Sequence, residues 1–504
     1  MHIAFRVDAS VLIGSGHVMR CLTLADALRN RGAECHFICR QHTGDMLDFV
    51  QRRGYRAVAL PAGNDTCRPA AEPCHASWLG VDWGTDADQT LQSLGPEVVD
   101  WLVVDHYALN YQWEQALRPH VHRIMVIDDL ADRSHDCDLL LDQNFGRTEN
   151  DYADVLVRSA PMLLGPKYSL LRPEFVAARG RRRDGEVRRV LVFFGGVDAA
   201  NQTGRVIALL PRALSPHVAV DVVIGAAHPH RAGIEAACLH AGYGCHVQTD
   251  RMAELMAAAD LAIGAGGTTV WERACVGLPA LVWPVAENQR AQVATAADAG
   301  LLHAPLQVGD DDEALLRQIA ALCDSPHLLR ALSTAGAATV DGAGAARVCR
   351  ALGCTGVTMR PAVAADGDRL FAWRNREAVR RVSRNRDPIA RPAHDAWLAD
   401  TLGRADRRLL VGERDGQALG VVRFDLAGDE AEVSIYLTPG EHGAGAGGDL
   451  LAAAERWLAL ERPAGVCNIR AEVVGDNASS RHMFLSAGYL PDAARFFKRM
   501  LPDD

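Results

Sequence analysis

Three times along this chain a short apolar, β-branched run breaks into glycines and then into a helical pattern. Residues 3–7 lead to Gly14, Ser15 and Gly16, residues 190–194 lead to Gly195 and Gly196, and a strand ending at Gly264 leads to Gly266, Gly267, Thr268 and Thr269. Strand, tight turn and helix form the repeating unit of a doubly wound α/β sheet, and each unit leaves free amides and a positive helix end at one edge. The first unit reads RVDASVLIGSGHVMRC, with Val18, Leu22, Leu24, Ala25 and Leu28 on the apolar side of its helix. His17 therefore stands at the helix mouth, where an imidazole can take a proton from water beside a seat for an anion. A histidine that caps the helix or faces solvent is the other reading.

At 504 residues the chain exceeds one ordinary domain, and three of moderate size are expected. A net charge of -10 gives no global attraction to nucleic acid or an anionic membrane, so any anion must be held locally. Apolar residues at 49% and charged ones at 23% suit a soluble globular protein. No transmembrane run or signal peptide is visible, and a cytoplasmic location is expected. The 13 cysteines lack CxxC pairs and fit reduced, buried thiols, as at Cys21 and Cys275. His120/His122 and His228/His230 have no third ligand at a convincing spacing, so no metal is expected.

Residues 1–165 read as one Rossmann-like lobe. The runs WLVVDHY and RIMVIDDLADR end in polar groups, which makes Asp105, His106, Tyr107 and Asp128 candidates for a crevice at the carboxyl edge of a parallel sheet. Residues 166–189 read as a linker ending in ARGRRRDGEVRR, a charge run expected to be a solvated connector. A second lobe, 190–350, contains DLAIGAGGTTVWERACVGLPALVWPVAENQ. Its small-residue turn offers amides and hydroxyls to a pyrophosphate, and Glu272, one turn into the next helix, can accept hydrogen bonds from a ribose diol. Two doubly wound lobes facing each other across a cleft are the expected arrangement.

These motifs together resemble the glycosyltransferase B type fold of nucleotide-sugar enzymes. RVDASVLIGSGHVMRCLTLADAL, DHYALNYQWE and GPKYSLLRPEF resemble in particular the UDP-sugar hydrolases of pseudaminic acid biosynthesis, which cleave UDP-2,4-diacetamido-2,4,6-trideoxy-β-L-altropyranose to UDP and free sugar. The resemblance implies His17 as the base that activates water, no metal requirement, and ligand contacts at Gly14, Gly16, Tyr107, Gly267, Glu272, Asn288 and Gln289. With the turn residues Gly266 and Thr268, and Asp8 at the end of the first strand, these make up the expected substrate-binding set.

From Gly356 the composition shifts. GVTMRPAVAADGDRLFAWRNREAVRR gives a strand, a turn and an arginine-rich helix, and LLVGERDGQALGVVRFDL gives a hairpin turning at Asp415 and Gly416. AEVSIYLTPGEHGAGAGGDLLAAAERWL then gives a strand, a glycine loop suited to a pyrophosphate, and a long helix. Residues 356–504 resemble the α+β GNAT acetyltransferases. That resemblance implies acetyl-CoA as co-substrate, held by His442, Gly443, Gly445, Gly447, Gly448 and Asn477. Phe484 stands where the family often has a tyrosine that protonates the departing thiolate. Water, or a nearby group such as Tyr436, is then the candidate acid, and Glu432 a candidate base.

Read together, the chain is α/β, with two Rossmann-like lobes followed by an α+β GNAT domain. The expected activities are UDP-sugar hydrolysis and N-acetylation of a UDP-linked 4-amino sugar, with UDP-linked amino sugars as the partners and neither nucleic acid nor membrane among them. The alternatives are a glycosyltransferase with an accessory acetyltransferase, or a nucleotide-sugar sensor without turnover.

Overall fold

A computed structural model describes residues 1–63, 73–95, 98–305, 311–438, 440, 445–461, 463, 465–492 and 494–500. It divides into two compact units, one of residues 1–29 and 33–348, the other of residues 30–32 and 349–504.

The first unit holds two parallel sheets. One contains β1 (His2–Val7), β2 (Glu34–Arg40), β3 (Arg56–Leu60), β4 (Val99–Asp105), β5 (Val121–Ile127), β6 (Leu139–Asp142) and β7 (Met162–Leu164), in the order β3-β2-β1-β4-β5-β6-β7. The winding reverses between β1 and β4, where Val7 is in register with Asp105. That reversal opens a crevice at the carboxyl ends of these two strands, and the helix Gly16–Arg29 starts above it. The second sheet contains β8 (Arg189–Phe193), β9 (Ala219–Ile224), β10 (Gly244–Val247), β11 (Leu261–Ala265) and β12 (Ala280–Trp283), in the order β10-β9-β8-β11-β12. The expected doubly wound lobes are therefore present. Phe145 of the first lobe packs on the second-lobe core around Trp271 and Val293, so the two lobes touch through apolar surface.

Two expectations change in this unit. Asp8 was expected to contact substrate, but it is 0% exposed. Arg6 binds Asp8 and Asp86, Arg40 donates to Asp86 at 2.6 Å, and the backbone amide of Arg40 donates to Asp8 at 2.7 Å. Burial pushes the Asp8 carboxyl up, yet Arg6 outweighs it and holds the group well below the usual carboxylate range. Two buried cations facing two buried carboxylates compensate each other, and Asp8 has no oxygen left for a ligand.

The basic cluster of residues 178–189 is a solvated connector only in part: Arg182 and Arg188 are exposed as expected, but Arg183 is not. Arg183 is 8% exposed and donates to the carbonyls of Val276 (2.7 Å), Gly277 (2.8 Å), Met256 (2.9 Å) and Ala259 (3.0 Å). These carbonyls lie at the carboxyl ends of the helices Met252–Ala258 and Thr269–Cys275, where the intrahelical ladder has run out of donors. Arg181 and Arg179 serve neighbouring carbonyls in the same way. Burial pushes the Arg183 guanidinium down to about 10, so the cation stays charged at the dipoles' negative ends. Arg183→Ala is expected to cost about 1 to 3 kcal/mol, as a lower midpoint in urea unfolding.

The second unit is built on a sheet of β13 (Thr358–Pro361), β14 (Arg407–Arg414), β15 (Gln417–Ala427), β16 (Glu430–Leu437), β17 (Asn468–Glu472), β18 (Leu490–Asp492) and β19 (Arg495–Arg499). Its order is β13-β14-β15-β16-β17-β19-β18. The β14–β15 hairpin turns where expected, with Asp415 at φ 50 and Gly416 at φ 73. Only β16 and β17 pair in parallel, through Glu430–Val433 and Asn468–Ala471. Beyond Val433, β16 continues to Leu437 without β17 beside it, so the sheet opens there. Among the described residues no helix is long and apolar enough to cross a membrane.

Candidate active sites

In the first lobe, Ser10 Oγ accepts the amide of Ile13 at 3.0 Å and folds the loop back, and Gly14 at φ 80 turns the chain into the helix. A Cβ added at Gly14 or Gly16 would meet no protein atom within 4 Å, so both glycines border open space. His17 follows, in the first turn and 8% exposed. Its Nδ1 lies 2.6 Å from Asp105 Oδ1. Asp105 also accepts Nε and Nη2 of Arg20, both at 2.6 Å, and Arg20 Nη1 reaches Asp129 at 2.9 Å.

This arrangement fixes a protonation state. Burial pushes the Asp105 carboxyl up, but Arg20 and His17 overcome it and hold the group far below the usual range. An ionised carboxylate only accepts hydrogen bonds, so Nδ1 of His17 must carry the proton and Nε2 is the basic edge. The hydrogen bonds of the His17 ring to described residues are all at Nδ1, and the side chain keeps 10% exposure. Tyr107 packs edge-on against the ring at 4.6 Å and donates its hydroxyl to Asp129. Trp78 stacks on Tyr107 at 5.6 Å.

Of the crevice candidates, Asp105 and Tyr107 meet at His17. His106 and Asp128 do not. His106 Nδ1 accepts the amide of Ala108 at 3.1 Å, and its Nε2 turns to Asp8 at 3.2 Å. Asp128 is 0% exposed, paired with Arg133 at 2.8 Å and with the amide of Ala131 at 2.9 Å. Arg20 and Asp129 went unread in the sequence. Arg20 is three residues after His17, hence on the same helix face, and that spacing was the available signal.

In the second lobe, Gly266 is buried, and a Cβ there would strike Val293. Its amide donates at 3.3 Å to Gln289 Oε1, which also accepts the amide of Val285 at 3.0 Å. Gly266, expected at the ligand, is therefore spent on shaping the turn, while Gln289 uses its Oε1 there and keeps its Nε2 for a ligand. Gly267 and Thr268 precede the helix Thr269–Cys275, whose first amides have no acceptor within the helix. Asn288 and Thr268 are exposed. Glu272 is half-buried, and burial pushes its carboxyl up to about 7 against the opposing pull of Arg172 and Arg273.

In the second unit, Gly445 at φ 96 leads into the 16-residue helix Ala446–Glu461. Asp449 in its first turn is held by Arg350 (3.0 Å) and Arg414 (2.8 Å). A Cβ at Gly448 would come within 3.4 Å of the Arg350 guanidinium, so a cation stands beside the glycine amides. His442 and Gly443 lie outside the described residues. Asn477 caps the helix Ala478–Ser486 by accepting the amide of Ser480 at 3.1 Å. Phe484 is core, stacked with Phe496 and edge-on to Tyr489. Burial pushes the Glu432 carboxyl up, but hydrogen bonds from Arg470 and Arg384 (2.5 and 2.7 Å) leave it below its ordinary value. A doubly paired carboxylate is a poor base, which corrects its expected role. Tyr436 sits on β16 where the sheet opens, and burial raises its phenol, keeping the proton on. Among the described residues no group of three or more His, Cys, Asp or Glu side chains is arranged to hold a metal ion.

Residues 190–339 match the Glycosyltransferase family 28 C-terminal domain, and residues 357–489 match the Acetyltransferase (GNAT) domain. The chain therefore joins a glycosyltransferase-like α/β region of B type architecture to a GNAT acetyltransferase domain. It is similar to the spore coat polysaccharide biosynthesis protein SpsG of Bacillus subtilis (strain 168), at 35% identity over 191 residues covering 36% of this chain and 56% of that one. It is also similar to the UDP-2,4-diacetamido-2,4,6-trideoxy-beta-L-altropyranose hydrolase of Campylobacter jejuni subsp. jejuni serotype O:2, at 22% identity over 258 residues covering 51% of this chain and 81% of that one. Acinetobacter baumannii MurG superposes with a TM-score of 0.48 at 15% identity, covering 70% of this chain and 99% of that one. The chain thus spans just over half the length of SpsG.

Proposed function

We propose that the first two lobes hydrolyse a UDP-linked diacetamido-trideoxy sugar to UDP and free sugar, and that the C-terminal domain transfers acetyl from acetyl-CoA to the 4-amino group of the UDP-linked precursor. The observation that carries the hydrolase reading is the His17–Asp105 pair, with Nδ1 held at 2.6 Å and Nε2 left open beside two glycines that border empty space. Nε2 takes a proton from water as the water oxygen bonds to the anomeric carbon. The bond from that carbon to the UDP oxygen breaks, its electron pair leaves with UDP, and the imidazolium formed is stabilised by Asp105. One displacement without a covalent intermediate inverts the anomeric centre. Arg20 and Asp129 act through Asp105 and Tyr107, and are positioning residues.

The similarity to the Campylobacter hydrolase supports water as acceptor, while the family 28 match keeps a transferase as the second reading. Incubating the chain with the UDP-diacetamido sugar, with and without a sugar acceptor, separates them. Acceptor-independent release of UDP is expected, and release that requires the acceptor would favour a transferase.

Glu272 is assigned to the ribose diol. With its carboxyl near 7, UDP association is expected to strengthen about tenfold between pH 6 and pH 8, as the acceptor ionises. Glu272→Gln should flatten that rise in calorimetric titration. The sign for folding is opposite. The folded state binds this proton more tightly than the unfolded chain, so the contribution to stability falls as pH rises towards 7, and the Gln variant escapes the loss.

In the acetyltransferase, acetyl-CoA when bound supplies a thioester carbonyl to the amine. The glycine amides at the start of Ala446–Glu461, with Arg350 beside them, suit its pyrophosphate. Tyr436, protonated at the opening of the sheet, takes the acid's role that Phe484 cannot fill.

A further inference from the structure

The segment 374–386, RNREAVRRVSRNR, places six arginines against one glutamate in a chain whose net charge is -10. Arg384 is committed to Glu432 and Glu472. The other five, Arg374, Arg376, Arg380, Arg381 and Arg386, have no carboxylate within ion-pair distance among the described residues. Arg374 gives Nη2 to the carbonyl of Asn385 at 3.1 Å, while its Nη1 is buried without a partner. Burial lowers the Arg374 guanidinium, Tyr436 pulls it back up, and the like charges of Arg380 and Arg423 leave it below its ordinary value. Further along the segment, Arg376, Glu377, Ala378 and Arg381 line a cleft of about 440 Å³. Uncompensated cations grouped around a cleft are held at a cost in repulsion that a polyvalent anion removes.

The fold indicates which anion. Tyr436 packs on the buried cluster that holds Leu370, and the helix Gly367–Arg374 that carries Leu370 runs into the arginine segment. The next residue of β16, Leu437, packs on the opposite face with Leu450 and Leu451 of the helix that follows Gly445. The arginines therefore lie across the sheet from the glycine amides suited to the pyrophosphate of CoA. Resting on the reading of this domain as an amino-sugar acetyltransferase, we infer that the cleft at Arg376 and Arg381 seats the diphosphate of the amine substrate, so that this domain acetylates a nucleotide-linked sugar in preference to the free one.

The test follows CoA release by the full chain in a His17→Ala background, with the UDP-linked 4-amino sugar or the same amino sugar lacking UDP as acceptor. Arg376→Ala/Arg381→Ala is expected to raise the KM for the UDP-linked amine by about tenfold or more, because two charge-assisted contacts are lost. The kcat and the KM for acetyl-CoA should stay within about twofold of the parent chain, which also reports an intact fold, and Arg→Lys changes at both sites should recover part of the loss. UDP alone should inhibit competitively against the amine, and less so in the double variant. An unchanged KM for the amine, a raised KM for acetyl-CoA instead, or equal use of the sugar without UDP would each overturn the site. No CoA release from the parent chain with the UDP-linked amine overturns the acetyltransferase reading, and this site with it.

Discussion

Replacing His17 by alanine is expected to slow release of UDP from the UDP-diacetamido sugar by about 10² to 10⁴, or roughly 3 to 5 kcal/mol of barrier. Of the imidazoles around Tyr107, His17 is the one whose Nδ1 is held by a carboxylate, so its Nε2 is set as the base. UDP affinity should change by less than about threefold, because one helix terminus and its amides supply ~0.3 to 2 kcal/mol and none of that depends on the ring. Steady-state UDP release together with calorimetric binding of UDP separates the two effects. A variant that turned over at near-parent rates would return His17 to a structural role.

Asp105→Asn should have a loss of the same order for a different reason. Asparagine is nearly isosteric, but its amide can donate to Nδ1, which moves the ring proton to Nε2 and removes the base. It also leaves Arg20, a buried cation now gripped at 2.6 Å by both carboxylate oxygens, with only Asp129 for compensation. Breaking one side of a buried pair costs about 3 to 5 kcal/mol, so the thermal midpoint should fall in this variant and hold in His17→Ala. Lost turnover with lost stability in one variant, and lost turnover alone in the other, is the pattern that places Asp105 behind His17. Retained turnover in Asp105→Asn would show that the carboxylate does not set the tautomer.

The strand, turn and helix units were legible because glycine and β-branched residues act locally. The three sheets and the Asp415–Gly416 turn follow from that kind of signal. What the sequence hid depends on partners distant along the chain. Asp8 ends a strand like any crevice carboxylate, and only Asp86 and Arg40, brought in by folding, turn it into an interior group. Arg179, Arg181 and Arg183 look solvated because charge runs usually are, and the helix-end carbonyls that take them up cannot be seen in composition. Asp105 was readable as a crevice residue, but its partnership with His17 spans 88 positions and appears only when β4 lies beside β1.

The central claim is that water attacks the sugar carbon. Turnover in ¹⁸O-labelled water, followed by mass measurement of the released UDP, tests it directly. UDP of unaltered mass is expected, since its oxygen stays with phosphorus when the bond to the anomeric carbon breaks. UDP heavier by one ¹⁸O would mean that phosphorus was attacked, and the role given to His17 at the sugar would be contradicted.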